Sequence, residues 1–154
     1  AKDIQKKAIQ FNCKLILPFD VVCGKNIGDK EPIECEINNV SQNHMILDLG
    51  IKTTVLINQE IQNSKMVLWN GPVGAFEYKP YDKATNKIAF NIKQNVKKFG
   101  INALAGGGDT VSSIKNANAE DGFDYISNAG GAFLEWLEGN QSPGVIALKE
   151  NNLS

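Results

Sequence analysis

The sequence contains no arginine; all sixteen of its basic residues are lysine. Arginine is the usual bidentate holder of carboxylate and phosphate. An anion bound here is therefore expected to be held by lysine, by backbone N–H groups or by another chain. The net charge of −1 argues against a strong electrostatic grip on nucleic acid. No apolar run approaches the ~20 residues a membrane helix needs. Residues Ala1 to Phe11 are charged and amphipathic, unlike a secretory signal. Cys13, Cys23 and Cys35 lack metal-ligand spacing, and His44 is the one histidine that could join them. They read as reduced thiols of a cytosolic-type protein, so a cytoplasmic location is expected. His44 follows Ser41-Gln42-Asn43 and is expected in a solvated turn. The sequence also lacks an initiator Met and begins inside a helical pattern, which predicts a piece of a longer polypeptide.

What is present is ordinary for a soluble domain: 154 residues, 42% of them apolar, suffice for one core. Lys2 to Asn12 reads as a helix with Ile4, Ala8 and Phe11 on one face. Lys14 to Pro18 reads as a short buried strand and Asp20 to Cys23 as a second extended piece. Strands are expected at Ile33 to Ile37, Ile46 to Gly50 and Met66 to Trp69. A helix capped by Thr53 or Thr54 should run to about Asn63. Asp82 to Lys98 is the longest predicted helix, because Ala84, Ile88, Ile92 and Val96 recur every four residues. Lys93, Lys97 and Lys98 should form its solvated face, and Asp48 and Lys52 a local pair on a loop. A strand ending at Ala105, a helix to about Asn118, a strand at Tyr125 to Ser127 and a helix at Phe133 to Glu138 follow. This alternation predicts an α/β fold, a three-layer Rossmann-like parallel sheet with helices on both faces.

Ligands of such sheets bind at the carboxyl ends of the strands. Three glycine turns are placed there: Asn70-Gly71-Pro72, Gly106-Gly107-Gly108-Asp109, and Gly130-Gly131. Glycine lets the backbone approach a ligand, and the N–H groups of the following helix favour phosphate. Asp109 adds a carboxylate for Mg²⁺, and Thr110 a hydroxyl for a phosphate oxygen. The other reading is that the glycines only tighten turns and Asp109 caps a helix. Three turns converging on one edge favour a nucleotide site. No G-x-G-x-x-G opens a first βαβ unit, which weighs against a dinucleotide dehydrogenase.

Those turns, in this order and spacing, resemble the C-terminal domain of the phosphoglycerate kinase family. The likeness is carried by Trp69-Asn70-Gly71-Pro72-Val73-Gly74-Ala75-Phe76-Glu77, by Gly106-Gly107-Gly108-Asp109-Thr110, by Gly130 to Gly139 and by Pro143-Gly144-Val145-Ile146-Ala147-Leu148. Leu47 to Thr53 and Leu17 to Val22 fit weaker signatures. The resemblance implies residues 1–140 to be part of a nucleotide-binding lobe and residues 141–154 a C-terminal tail. It implies Mg²⁺-dependent phosphoryl transfer between 1,3-bisphosphoglycerate and ADP in glycolysis, in a monomeric parent enzyme. Glu77 should then bond the ribose hydroxyls. Gly106, Gly107, Gly108, Asp109 and Thr110 should surround the nucleotide phosphates, with Asp109 on the metal. Asn70, Gly71 and Pro72 should shape the pocket, and Gly130 and Gly131 should open the helix that faces the transferring phosphoryl group.

The chain departs from the family pattern in several places. The GGAKV-type strand and turn that begins the lobe is absent, and so is the arginine-rich N-terminal lobe that binds phosphoglycerate. Ile46 stands for a loop glycine near the adenine, Ile51 for a proline, Ala129 for the first glycine of the last turn, and Phe133 for a small polar residue. The isolated chain is accordingly expected to be catalytically inactive. The alternative reading is a non-catalytic nucleotide-binding or structural fragment. ATP or ADP, Mg²⁺ and, through the missing lobe, phosphoglycerate are the expected ligands, with neither nucleic acid nor membrane as partner.

Overall fold

The structure is a computed structural model and describes residues 1–140 and 143–151. Helix α1 (Lys2–Gln10) is followed by strands β1 (Asp20–Gly24), β2 (Ile33–Glu36) and β3 (Met45–Leu49). Next come α2 (Ile51–Gln62), β4 (Met66–Asn70), α3 (Lys83–Phe99), β5 (Asn102–Gly106), α4 (Gly108–Asn116), β6 (Tyr125–Ser127), α5 (Gly130–Leu137) and α6 (Pro143–Asn151). The expected α/β alternation is present from β3 onward. The expected tail forms α6 in part; residues 141, 142 and 152–154 lie outside the described residues.

The parallel sheet has the order β4-β5-β6. Its β4 and β5 are in register from Met66 against Asn102 to Asn70 against Gly106. The core lies on one face, where Trp69, Ala103 and Ala105 meet Ile61 of α2, Ile88, Ala89 and Ile92 of α3, and Ile114 of α4. The four-residue recurrence in α3 therefore marks its buried stripe. Gly100, at φ 65°, ends that helix in a left-handed conformation that glycine adopts without a Cβ clash. The opposite face of the sheet carries Met66, Leu68 and Tyr125, which are exposed at 57%, 40% and 58%.

Strands β1 to β3 form a separate sheet of order β2-β1-β3, and both pairings are antiparallel. The connections between them contain no α-helix. They are shorter than the dozen or so residues a parallel crossover needs, which is why this region does not extend the parallel sheet. Lys14 to Pro18, expected as a buried strand, forms no strand, and Leu15 and Leu17 are exposed. Both edges of β1 are already taken by β2 and β3, so that segment has no ladder to join there. The apolar face of α1 is likewise formed but unburied: Ile4, Ile9 and Phe11 are exposed.

Three local expectations are corrected by packing. Lys93 and Lys97 are not merely solvated; both pair with Asp121 at 2.6 Å and tie α3 to the turn at Glu120–Gly122. The two ammonium groups hold the Asp121 carboxyl down at about 2. Asp48 does not pair with Lys52 but is buried. Its oxygens accept the N–H groups of Leu49 (2.9 Å) and Ala84 (3.0 Å). His44 is half-buried, and both ring nitrogens are buried without a hydrogen-bond partner.

Candidate nucleotide site

The carboxyl ends of the parallel strands stop on one rung. Asn70 is in register with Gly106, and Gly106 with Ser127. The three glycine turns therefore leave the sheet side by side. Gly71 and Gly107 have φ of 99° and 102°, values that favour glycine because it has no Cβ. The Gly107 N–H donates to the Ser127 carbonyl at 2.9 Å, which joins the second turn to the end of β6.

The turns also touch. A Cβ built on Gly107 would lie 3.0 Å from Asn70 Oδ1 and 3.4 Å from Thr110 Oγ1. A Cβ on Gly130 would lie 2.7 Å from both Cα and N of Gly107. Asn70, Gly107, Thr110 and Gly130 thus meet at one point. A side chain at Gly130 would separate the start of α5 from the start of α4. Gly131 and Gly108, by contrast, face open space.

Asp109 does not cap α4. The N-cap position is Gly107, and no side chain caps the helix. Asp109 is exposed in the first turn, where a carboxylate is favoured by the helix dipole. The N–H of Val111 is taken by Gly107 O at 2.9 Å. The N–H groups of Gly108, Asp109 and Thr110 precede the first intrahelical bond and have no acceptor within the helix. Thr110 is buried, and its Oγ1 accepts the Gly71 N–H at 2.7 Å. This hydroxyl therefore braces the first turn against the second. Trp69 reinforces the first turn by donating its indole N–H to Gly71 O at 2.6 Å.

Beyond Pro72 the chain turns toward β3. The Ala75 N–H donates to Leu47 O at 2.7 Å, and Glu77 lies exposed two residues further on. A cleft of about 420 Å³ opens here, lined by Ile46 and Leu47 of β3 and by Val73, Gly74 and Ala75. Gly74 admits no side chain, because its Cβ would lie 2.3 Å from Asp48 Oδ1. A second cavity of about 250 Å³ lies between β1, β3 and the start of α3, and neither it nor the cleft is lined by a residue of the three glycine turns.

Both the sequence and the fold have known relatives. The family model described as "Phosphoglycerate kinase" matches residues 1–140. The chain belongs to the phosphoglycerate kinase family. The phosphoglycerate kinase of Cereibacter sphaeroides is 44% identical over 149 residues, which are 96% of this chain and 38% of that protein. That of Orientia tsutsugamushi is 44% identical over 150 residues, 96% of this chain and 37% of that protein. The structure of phosphoglycerate kinase from Coxiella burnetii superposes with a TM-score of 0.81 at 34% identity, covering 90% of this chain and 35% of that one. The chain thus spans a little over a third of the length of these family members.

In this family member, two buried aspartates hold the starts of α2 and α3, and neither was singled out as a site residue from sequence. Asp48 accepts the Ala84 N–H at the start of α3 and leaves room at Gly74 for no side chain, and burial pushes its carboxyl up to about 6. Asp20, on β1, accepts the N–H groups of Lys52 (2.8 Å) and Thr53 (2.7 Å) and so caps α2 from another element. Burial opposes its ionisation, yet the Thr53 and Lys52 bonds leave its pKa lowered. The signal was faint because each carboxylate serves a helix distant in sequence. Among the described residues, no group of three or more His, Cys, Asp or Glu side chains could hold a metal ion. No described helix is long and apolar enough to cross a membrane.

Proposed function

We propose that this chain is the nucleotide-binding part of a cytoplasmic phosphoglycerate kinase that transfers a phosphoryl group between 1,3-bisphosphoglycerate and ADP. The observation that carries the reading is the meeting of Asn70, Gly107 and Gly130, which brings the N-terminal ends of α4 and α5 together. Two positive helix ends and unbonded N–H groups at one point suit a polyphosphate. In this assignment Gly106, Gly107, Gly108 and Asp109 flank the phosphates, and Asn70, Gly71 and Pro72 form the facing wall. Thr110, whose side chain is buried, acts by bracing Gly71 against the second turn. Glu77 meets the ribose hydroxyls, and the apolar cleft beside Leu47 and Gly74 takes the base, with Ile46 at its edge. Gly130 and Gly131 open the helix facing the transferring group.

A lone exposed carboxylate at Asp109 fits Mg²⁺, which is usually held by one or two carboxylates with substrate phosphates and water completing its shell. Bound with the nucleotide, the ion supplies neutralisation of phosphate charge. The chain's own residues position the nucleotide and stabilise developing charge with fixed dipoles. They contribute no arginine. The phosphoglycerate and its cationic partners belong to the remaining polypeptide, which accounts for more than half of the related enzymes' length. That polypeptide also has surface to cover here, because Met66, Leu68 and Tyr125 are exposed. Residues 1–140 are assigned to this lobe and 141–154 to its tail; the full enzyme is taken as a monomer acting without nucleic acid or membrane. The test is a coupled assay of the full-length protein and of the 154-residue chain. Turnover by the former and none by the latter is expected. Absence of transfer by the full-length protein would refute the assignment.

A further inference from the structure

Away from the glycine turns, β1 and its edge partner β2 bring two sulfurs together. Cys23 and Cys35 project to one face of the antiparallel pair, because Val21 is opposite Cys35 and Cys23 opposite Ile33. Their Sγ atoms are 3.8 Å apart. Cys23 is buried and Cys35 half-buried, whereas Cys13 is exposed and lies outside both strands. We propose that Cys23 and Cys35 form a reversible oxidation site that takes a hydroperoxide and closes into a disulfide between β1 and β2.

Accessibility divides the roles. Cys35, the less buried residue of the two, is assigned the attack on the peroxide, and the buried Cys23 is the resolving thiol. In the first step the Cys35 thiolate attacks one peroxide oxygen. The O–O bond breaks, Cys35 becomes a sulfenic acid, and hydroxide leaves (an alkoxide, for an organic peroxide). In the second step the Cys23 sulfur attacks the sulfenic sulfur, the S–O bond breaks, and the Cys23 proton departs with that oxygen as water. The two sulfurs lose two electrons in all, and the peroxide gains them. Burial, with the Cys35 sulfur adjacent, holds the Cys23 thiol up at about 11. That keeps Cys23 protonated and unreactive until a sulfenic acid forms beside it. A thiol reductant reverses the bond. Oxidation fixes the edge strand β2 covalently to β1, whose Val22 lines the 250 Å³ cavity with Pro32 and Glu34.

The test is peptide mapping of the full-length protein after hydrogen peroxide treatment and alkylation of the remaining thiols. Trypsin cleavage after Lys25 and Lys30 puts Cys23 and Cys35 on different peptides. The expected product is that peptide pair joined by one bond, lost on reduction with dithiothreitol, with Cys13 still alkylated. Cys13→Ser should leave the joined pair intact, and Cys35→Ser should abolish it. The proposal is overturned if Cys23 and Cys35 stay on separate alkylated peptides, if Cys35 goes to sulfinic acid without linking, or if it links to any other cysteine.

Discussion

Gly130→Ala probes the contact between helix ends on which the site depends. The added methyl would lie 2.7 Å from the Gly107 Cα and N and 3.0 Å from the Gly106 carbonyl carbon. All three are backbone atoms, so the clash is relieved by moving α5 away from the turn rather than by turning a side chain. Such overpacking costs about 1–3 kcal/mol. The opposing effect is helix propensity, since alanine in a helix is worth up to ~1 kcal/mol over glycine. Gly131→Ala shares that propensity gain and meets nothing within 4 Å. The difference between the two variants therefore isolates the clash. Denaturant unfolding of the two full-length variants should place Gly130→Ala lower by about 1–3 kcal/mol, and a calorimetric ADP titration should show weaker binding for it. Equal stability and equal affinity for the two would refute the convergence of α4 and α5 on Gly107.

Thr110→Val keeps the shape but leaves the Gly71 N–H without its acceptor. It should cost about 1–3 kcal/mol in unfolding free energy, and a neutral result would mean that Thr110 does not brace the turn. Asp20→Ala removes the cap of α2 and should cost about 0.5–2 kcal/mol at pH 7. Because the Asp20 pKa is lowered on folding, its contribution is present above the ordinary carboxylate pKa and fades as pH falls through the folded value, so acid melts should narrow the gap to wild type. Asp48 has the opposite sign. With its pKa raised to about 6, it favours the folded state most below the ordinary carboxylate range, and this contribution is lost as pH rises from about 4 to about 6. Asp48→Asn should remove that slope from the pH–stability curve, and an unchanged slope would contradict the buried placement.

Much of the parallel half was legible because its signals are local. The stripe of α3 follows from one helical period, and Asn70, Gly107 and Gly130 follow from glycine turns at strand ends. The first fifty residues read less well. The extended piece at 20–23 is β1, but the strand expected at 14–18 did not form; register depends on partners that sequence spacing does not specify, and the helix-free connections made an antiparallel sheet. Asp109 was legible as an exposed acid at a glycine turn, whereas the bond by which Thr110 braces Gly71, 39 residues earlier, was not. Asp20 and Asp48 were not legible as supports. Their partners lie 32 to 36 residues away at helix starts, and no local pattern marks such a bond. Asp121 was missed for a similar reason, since its lysines lie on α3.

The central claim is that the glycine turns and Asp109 hold the phosphates of a magnesium nucleotide. Calorimetric titration of ADP into the full-length protein, with and without Mg²⁺, compared with Asp109→Asn, tests it most directly. Asp109→Asn keeps the size of the side chain, and Asp109 makes no cap whose loss could unfold α4. The wild-type protein should bind ADP more tightly with Mg²⁺ than without. The variant should lose no more stability than the roughly 0.3–1 kcal/mol that a first-turn carboxylate draws from the helix dipole, and should lose the Mg²⁺ enhancement. An enhancement of equal size in both proteins would contradict the account.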